Sequence, residues 1–286
     1  LKGKRAIFLI SAVIMTGILC YSVTQALMIL IPLQREKNGF KELKQIALSS
    51  AQPPAASEQT PALQDESAEQ TSQTEESPDQ SNRTEDDGKG AADGGWKEGY
   101  GLLLEQNSDF AGWLRIEDTD IDYPVMKSAE DDPQYYLNRD FYGNESYSGS
   151  LFIGAGCDSS SSSFIVYGHN LNDSSMFGSL DRYNSYDYAQ QHPEILFSAP
   201  DGERVYRVFA AFQTRVYDQH DDVFRYYEAI GDLGEEEYEE AVSCMRDMSL
   251  IHLPDAPVYP QQLLLLSTCS YHTDDGRFAV AAYRIK

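Results

Sequence analysis

Hydrophobic positions along this chain follow three different patterns. The first, AIFLISAVIMTGILCYSVTQALMILIP (Ala6 to Pro32), is apolar almost throughout and carries no charged side chain. About 20 such residues are enough to cross the hydrocarbon core of a bilayer as a helix. In the second, from about Ser49 to Gly95, apolar clusters disappear, no aromatic residue occurs, and Glu, Gln, Ser, Pro and Gly dominate. A segment of that kind buries too little apolar surface to offset the entropy of ordering, so it reads as disordered. Trp96 opens the third pattern, short β-prone runs rich in Tyr and Phe and punctuated by Gly and Pro.

In this last region the apolar runs predict strands near Ala111 to Ile116, Ile121 to Val125, Ser150 to Ile153, Ser163 to His169, Arg204 to Val216, Gln262 to Cys269 and Arg277 to Ile285. GEEEYEEAVSCMRDM (Gly234 to Met248) predicts a helix: Tyr238, Val242 and Met245 recur on one face, and acids fill the first turn, where they favour the macrodipole. Shorter helices are expected at Gly101 to Gln106 and at Pro133 to Phe141, the latter opened by a proline suited to a first turn. Many short strands, few helices and no internal repeat imply one mainly β domain, a barrel or a sandwich with inserted helices.

Charge adds an orientation. Lys2, Lys4 and Arg5 precede the apolar run, and the positive-inside tendency leaves the N-terminus in the cytoplasm with the remainder outside. A cleaved secretory signal is the alternative, but the apolar core of a signal usually runs to only about 7–15 residues. Arg35, Lys37, Lys41 and Lys44, just beyond the run, weaken the asymmetry without reversing it. The expected organisation is a cytoplasmic tip and transmembrane signal-anchor over 1–33, a disordered acidic stalk over 34–95 and one globular domain over 96–286. A flexible stalk of roughly 60 residues averages about 45 Å end to end, enough to hold a domain above a membrane surface. The formal net charge of -24 excludes a nucleic-acid partner, because binding phosphates needs a basic face.

Of the four cysteines, Cys20 lies in the apolar run, leaving Cys157, Cys244 and Cys269 outside. An odd number leaves at least one unpaired in a monomer, and an unpaired exported thiol is a candidate reactive group. A Cys157–Cys244 disulfide and a pair of buried thiols both remain open. Cys269 ends the run LLLLSTC, and His169 follows the strand pattern of FIVYG. Arg277 begins the next strand after the turn-forming connector SYHTDDG. If those two strands form a hairpin with Cys269 opposite Arg277, their side chains leave one face with Cβ atoms about 4.5–5.5 Å apart.

Such a neighbourhood has chemical consequences. Positive neighbours favour the thiolate, which is the nucleophile. Arginine stays charged and stabilises the oxyanion of an attacked carbonyl. Histidine protonates a departing amine or deprotonates an arriving one. Together they would carry acyl transfer through a thioester. Each residue alone has a plainer reading: Cys269 as a small buried hydrophobe, His169 as a loop histidine, Arg277 as a surface charge or half of an ion pair. His192, His220, His252 and His272 keep that plain reading. Cys157, His169, Cys269 and His272 are also zinc-ligand types, although only Cys269 and His272 have a zinc-like local spacing.

IVYGHNLNDSSMFGSLDRY (Ile165 to Tyr183) and LLSTCSYHTDDGRFAV (Leu265 to Val280) resemble the two signature segments of class B sortases, membrane-anchored cysteine transpeptidases of Gram-positive bacteria. WLRIEDTDIDYPVMKS (Trp113 to Ser128) and YYLNRDFYGNESYSGSLFI (Tyr135 to Ile153) resemble the early part of the same domain. The resemblance implies an eight-stranded β-barrel with peripheral helices, and it makes the helix before the cysteine strand the insertion that marks class B. It carries the catalytic roles onto His169, Cys269 and Arg277. It also implies cleavage of a C-terminal sorting motif of exported proteins after a threonine, with transfer to an amine of a peptidoglycan precursor. A pilin lysine as acceptor, or a membrane-tethered binding or scaffold protein of low activity, are the alternatives. No cofactor is implied. Tyr167 and Ser267, two residues before His169 and Cys269, are candidate substrate contacts, or else polar fillers of the barrel wall. The family pattern Thr-Leu-x-Thr-Cys departs here at Leu265, where a threonine is usual, a change expected to touch packing or substrate fit rather than chemistry. A papain-like peptidase fits poorly, since its cysteine precedes its histidine and opens a helix.

Overall fold

The computed structural model describes the backbone of residues 2–49, 99–199 and 201–286, and their side chains apart from those of 2–14, 29, 32, 33 and 49. Most of the expected stalk, from 50 to 95, lies outside the described residues. Eight strands form the core: β1 (Phe110–Arg115), β2 (Asp122–Lys127), β3 (Leu151–Ile153), β4 (Ser163–Tyr167), β5 (Glu194–Ala199), β6 (Gly202–Arg215), β7 (Leu263–Cys269) and β8 (Gly276–Arg284). They close into a barrel in the order β1-β2-β3-β4-β7-β8-β6-β5. The β2–β3 and β4–β7 pairs are parallel and the others antiparallel.

This topology explains the leucine run. β7 sits between β4 and β8, and Leu263 to Leu266 are all fully buried. A strand covered on both faces reads as continuously apolar rather than alternating. Leu265 lies between Ile165 of β4 and Ala281 of β8, wholly inside the core, so its methyl groups serve packing. Seven strands match the apolar pattern. The eighth, β5, was not marked by it, and β5 closes the barrel by pairing with both β1 and β6.

Among the described residues four α-helices surround the barrel: α1 (Lys2–Ser49), α2 over 99–106, α3 (Tyr186–Gln191) and α4 (Glu235–Asp247). α4 buries Tyr238, Ala241, Val242 and Met245, while Glu237 Oε2 accepts from the backbone N–H of Gly234 to close its first turn. The helix expected over Pro133 to Phe141 is only a 3₁₀ turn, Tyr135–Asn138. Its continuation is drawn off into tertiary bonds: Ser150 N–H donates to the Tyr136 carbonyl, and Ser146 N–H to that of Asn138.

α1 corrects the expected domain boundary. Residues 34–49, assigned to the stalk, continue the helix and pack on the barrel. Leu43 and Ala47 are buried in a second apolar cluster with Tyr100, Leu103, Phe110, Trp113 and Phe141. Phe40 meets Tyr123 edge-on at 5.2 Å. Around this contact Lys44 pairs with Asp122, which also accepts from Trp113 Nε1 at 2.6 Å, and Glu36 accepts from Tyr147 N and Ser148 Oγ at 2.9 and 2.7 Å. The physical reason is periodicity: Phe40, Leu43 and Ala47 fall on one helical face, and burying that face offsets the entropy of ordering this segment. The run expected to span a bilayer lies partly outside the described side chains; among the described residues no helix is long and apolar enough to cross a membrane. Where side chains are described in that run, Met15, Ile18, Leu19, Val23, Leu27, Met28, Leu30 and Ile31 are exposed.

Docking of α1 makes a measurable difference. Leu43→Ala should lower unfolding stability by roughly 2–5 kcal/mol, as for other leucines cut back in a packed core. Equilibrium denaturation of the two proteins checks this, and equal stability would return residues 34–49 to the stalk.

Candidate active site

The β7–β8 hairpin sets the site. Its register pairs Cys269 with Arg277, as the connector length suggested. Ser270 N–H donates to the Gly276 carbonyl at 2.9 Å, so by the alternation of an antiparallel ladder Cys269 and Arg277 form a non-hydrogen-bonded pair, in which side chains stand closest. Gly276 permits the tight return, since a Cβ there would lie 2.2 Å from the Ser270 carbonyl oxygen. Cys269 is exposed. Arg277 Nη1 donates to the carbonyls of Asp275 and Gly276 at 3.3 and 2.9 Å, and among the described residues no carboxylate pairs with the guanidinium.

His169 comes from the neighbouring strand. β4 runs parallel to β7 and ends at Tyr167, opposite Ser267. Gly168 then lets the chain turn against packed side chains, because a Cβ would lie 2.4 Å from Leu151 Cδ2 and 2.8 Å from Phe177 Cδ2. His169 follows half-buried, with its backbone carbonyl held by Phe177 N–H at 2.9 Å. Its Nε2 is buried without a hydrogen-bond partner among the described residues. A buried polar atom left unpaired calls for a functional reason.

His169, Cys269 and Arg277 line one cavity of about 430 Å³. Its remaining wall is largely apolar and aromatic, with Leu137, Phe152, Tyr167, Val216, Tyr226, Tyr227 and Ile230. That composition suits a peptide whose side chains are partly apolar, with a few polar groups fixing its backbone. A larger cleft, about 560 Å³, lies between α4 and residues 252–259. It contains no nucleophile comparable to Cys269, so size does not make it the reactive site.

Both candidate contacts border the cavity, in different states. Tyr167 is half-buried, its ring tilted against Phe152 at 5.7 Å, and burial raises its phenol well above the ordinary tyrosine range. Ser267 is fully buried, and its hydroxyl is engaged with Tyr226 OH at 2.7 Å. Burial pushes the Tyr226 phenol up to about 12, partly offset by that hydrogen bond, so this pair stays neutral in the cavity wall. Nothing in the sequence marks Tyr226, Tyr227, Leu137 and Phe152 as cavity residues. The first two lie in the segment between β6 and α4, where no motif or period marks them. Cys157, Cys244 and Cys269 are all free thiols. His272 Nδ1 is bonded to Ser270 Oγ at 2.8 Å, and no cluster able to hold a metal ion occurs among the described residues.

A family model described as the sortase domain matches residues 114–285. Sortase B of Listeria monocytogenes is 33% identical over 114 residues, which covers 39% of this chain and 46% of that protein; the match therefore spans less than half the length of this relative. Sortase B of Staphylococcus aureus is 26% identical over 188 residues, 64% of this chain and 73% of that protein. Among solved structures, a Staphylococcus aureus sortase B–substrate complex superposes with a TM-score of 0.58 at 25% identity, over 66% of this chain and 86% of that one. The family match begins inside β1 and ends one residue beyond β8, taking in the whole circuit of the barrel; the relatives it resembles are named sortase B, and this chain belongs to the sortase family.

Proposed function

We propose that this protein is a cysteine transpeptidase that cleaves a C-terminal sorting motif of exported proteins after threonine and transfers the acyl group to an amine of a peptidoglycan precursor. The observation that carries the reading is the meeting of an exposed thiol, an unpaired imidazole nitrogen and a guanidinium without a carboxylate partner in one peptide-sized cavity. The substrate class is carried from the family and is supported by the substrate complex among its structural likenesses.

In this reading the Cys269 thiolate attacks the threonine carbonyl carbon, and the carbonyl electron pair moves onto oxygen. Arg277 stabilises that oxyanion through its planar, permanently charged fork. The C–N bond then breaks as His169 gives a proton to the departing amine, leaving a thioester on Cys269. The acceptor amine attacks the thioester carbonyl, His169 takes its proton, and the thiolate leaves. Tyr167 is proposed as a direct substrate contact. Ser267 acts with Tyr226, as a fixed hydroxyl pair in the wall.

The uncharged run Ala6 to Pro32 is proposed as a single-pass anchor, with the N-terminus in the cytoplasm and the barrel outside. Its exposed apolar side chains support this placement, since water-exposed apolar patches of that extent mark a membrane or partner surface. Because 34–49 docks on the barrel, the domain would stand close above the bilayer.

Incubation with a library of sorting-motif peptides, followed by intact-mass spectrometry, should show an acyl adduct on Cys269 that disappears when an amine is added and is absent in Cys269→Ala. No adduct with any peptide, while a thiol reagent still labels Cys269, would overturn the reading. Arg277→Lys should lose about 100-fold or more in kcat/KM, the scale of removing one oxyanion donor. Parent-like rates for that variant would take Arg277 out of the mechanism. Membrane fractionation should find the full chain in the pellet and a chain lacking residues 1–33 in the supernatant.

A further inference from the structure

The ladder between β4 and β7 continues past the point where its backbone stops. Its last backbone rung is Gly168 N–H to the Ser267 carbonyl, at 3.2 Å. In a regular parallel pair the next two rungs would run from Cys269 N–H to the Gly168 carbonyl and from Asn170 N–H to the Cys269 carbonyl. Side chains stand in their place. Thr268 Oγ1 donates to the Gly168 carbonyl at 2.7 Å, and Asn170 Nδ2 donates to the Cys269 carbonyl at 2.8 Å.

The consequence falls on the reacting residues. Cys269 and Arg277 are a non-hydrogen-bonded pair, so the Cys269 carbonyl points away from β8 and toward the end of β4. There β4 has already turned off at Gly168, and the Asn170 amide is the partner that this carbonyl finds. Asn170 directly follows His169, so one bond ties the residue after the imidazole to the residue bearing the thiol. Asn170 is itself fixed: its backbone bridges to Met176. The loop between them carries Asp173, held to about 2 first by the Ser175 hydroxyl and next by Lys37 of α1.

We propose that Asn170 is a positioning residue for acyl transfer, its side-chain amide standing in for a missing ladder rung to hold Cys269 at a set distance from His169 and Arg277. The proposal rests on the transpeptidase reading of that cavity. Asn170 touches no reacting atom and works through the Cys269 carbonyl. Because it is half-exposed, water can replace its bond when it is removed, so the fold tolerates the loss while the geometry does not.

Two variants of the full chain test this. Asn170→Ala removes the donor; Asn170→Asp keeps the size and shape and also removes it. Three quantities are compared with the parent: the unfolding midpoint, the rate at which iodoacetamide modifies Cys269 at one fixed pH, read by peptide mass spectrometry, and the steady-state kinetics with a sorting peptide. Both variants should unfold within about 4 °C of the parent, alkylate Cys269 more slowly, and lose roughly 10- to 100-fold in kcat with KM little changed. Parent-like alkylation and kcat in Asn170→Ala would overturn the proposal, as would full activity in Asn170→Asp, which would make shape rather than the donated hydrogen bond the requirement. If the parent itself turns over no peptide, the transpeptidase reading falls, and the alkylation rates alone decide the role of Asn170.

Discussion

A slip of one residue between β7 and β8 would turn Arg277 to the opposite face of the barrel wall from Cys269. The rest of the site depends on that register. It is secured from both ends: Leu263 to Leu266 lock into the core with their β4 and β8 partners, and the turn at Gly276 closes against the Ser270 carbonyl. The chemistry needs little else from β8 than one guanidinium on the thiol's side. What β4 contributes is a strand that ends two residues before His169, so that the imidazole emerges just where β7 delivers the thiol.

Around this centre the fold divides its work between two apolar clusters. The larger fills the barrel and extends beneath α3 and α4. The smaller lies between the β1–β2–β3 region and the helices α1 and α2. Through Lys37 and Asp173 the second layer also touches the loop that follows His169. That pair is exposed, and exposed ion pairs contribute little stability; its interest is placement, since it joins the helix continuing from the apolar segment to the loop bearing Asn170.

The strands that build the site could be read directly because their patterns are local: a leucine run ending in a thiol, a β-branched run ending in Gly168 and His169, and a turn-forming connector between Cys269 and Arg277. β5 is hidden because EILFSA is bounded by prolines and alternates only over its first four residues, with Ser198 and Ala199 both buried after Phe197; its role as barrel closure is a long-range fact. Residues 34–49 read as stalk from sequence alone because the polar run that follows them hides the face made by Phe40, Leu43 and Ala47. Tyr226, Tyr227 and Phe152 reach the cavity from elements remote in sequence, and no spacing rule places them there. The carbonyl partners of Thr268 and Asn170 were equally hidden, since they follow from where one strand stops beside another.

The central claim is that the hairpin register places Arg277 to receive the charge formed when Cys269 is acylated. A crystal structure of the chain trapped as a Cys269 adduct with a peptide analogue measures this most directly. The account predicts the former carbonyl oxygen of the peptide within hydrogen-bond distance of the Arg277 guanidinium, with the imidazole of His169 facing the leaving-group side. An adduct whose oxygen points away, with Arg277 still donating only to the carbonyls of Asp275 and Gly276, would contradict it.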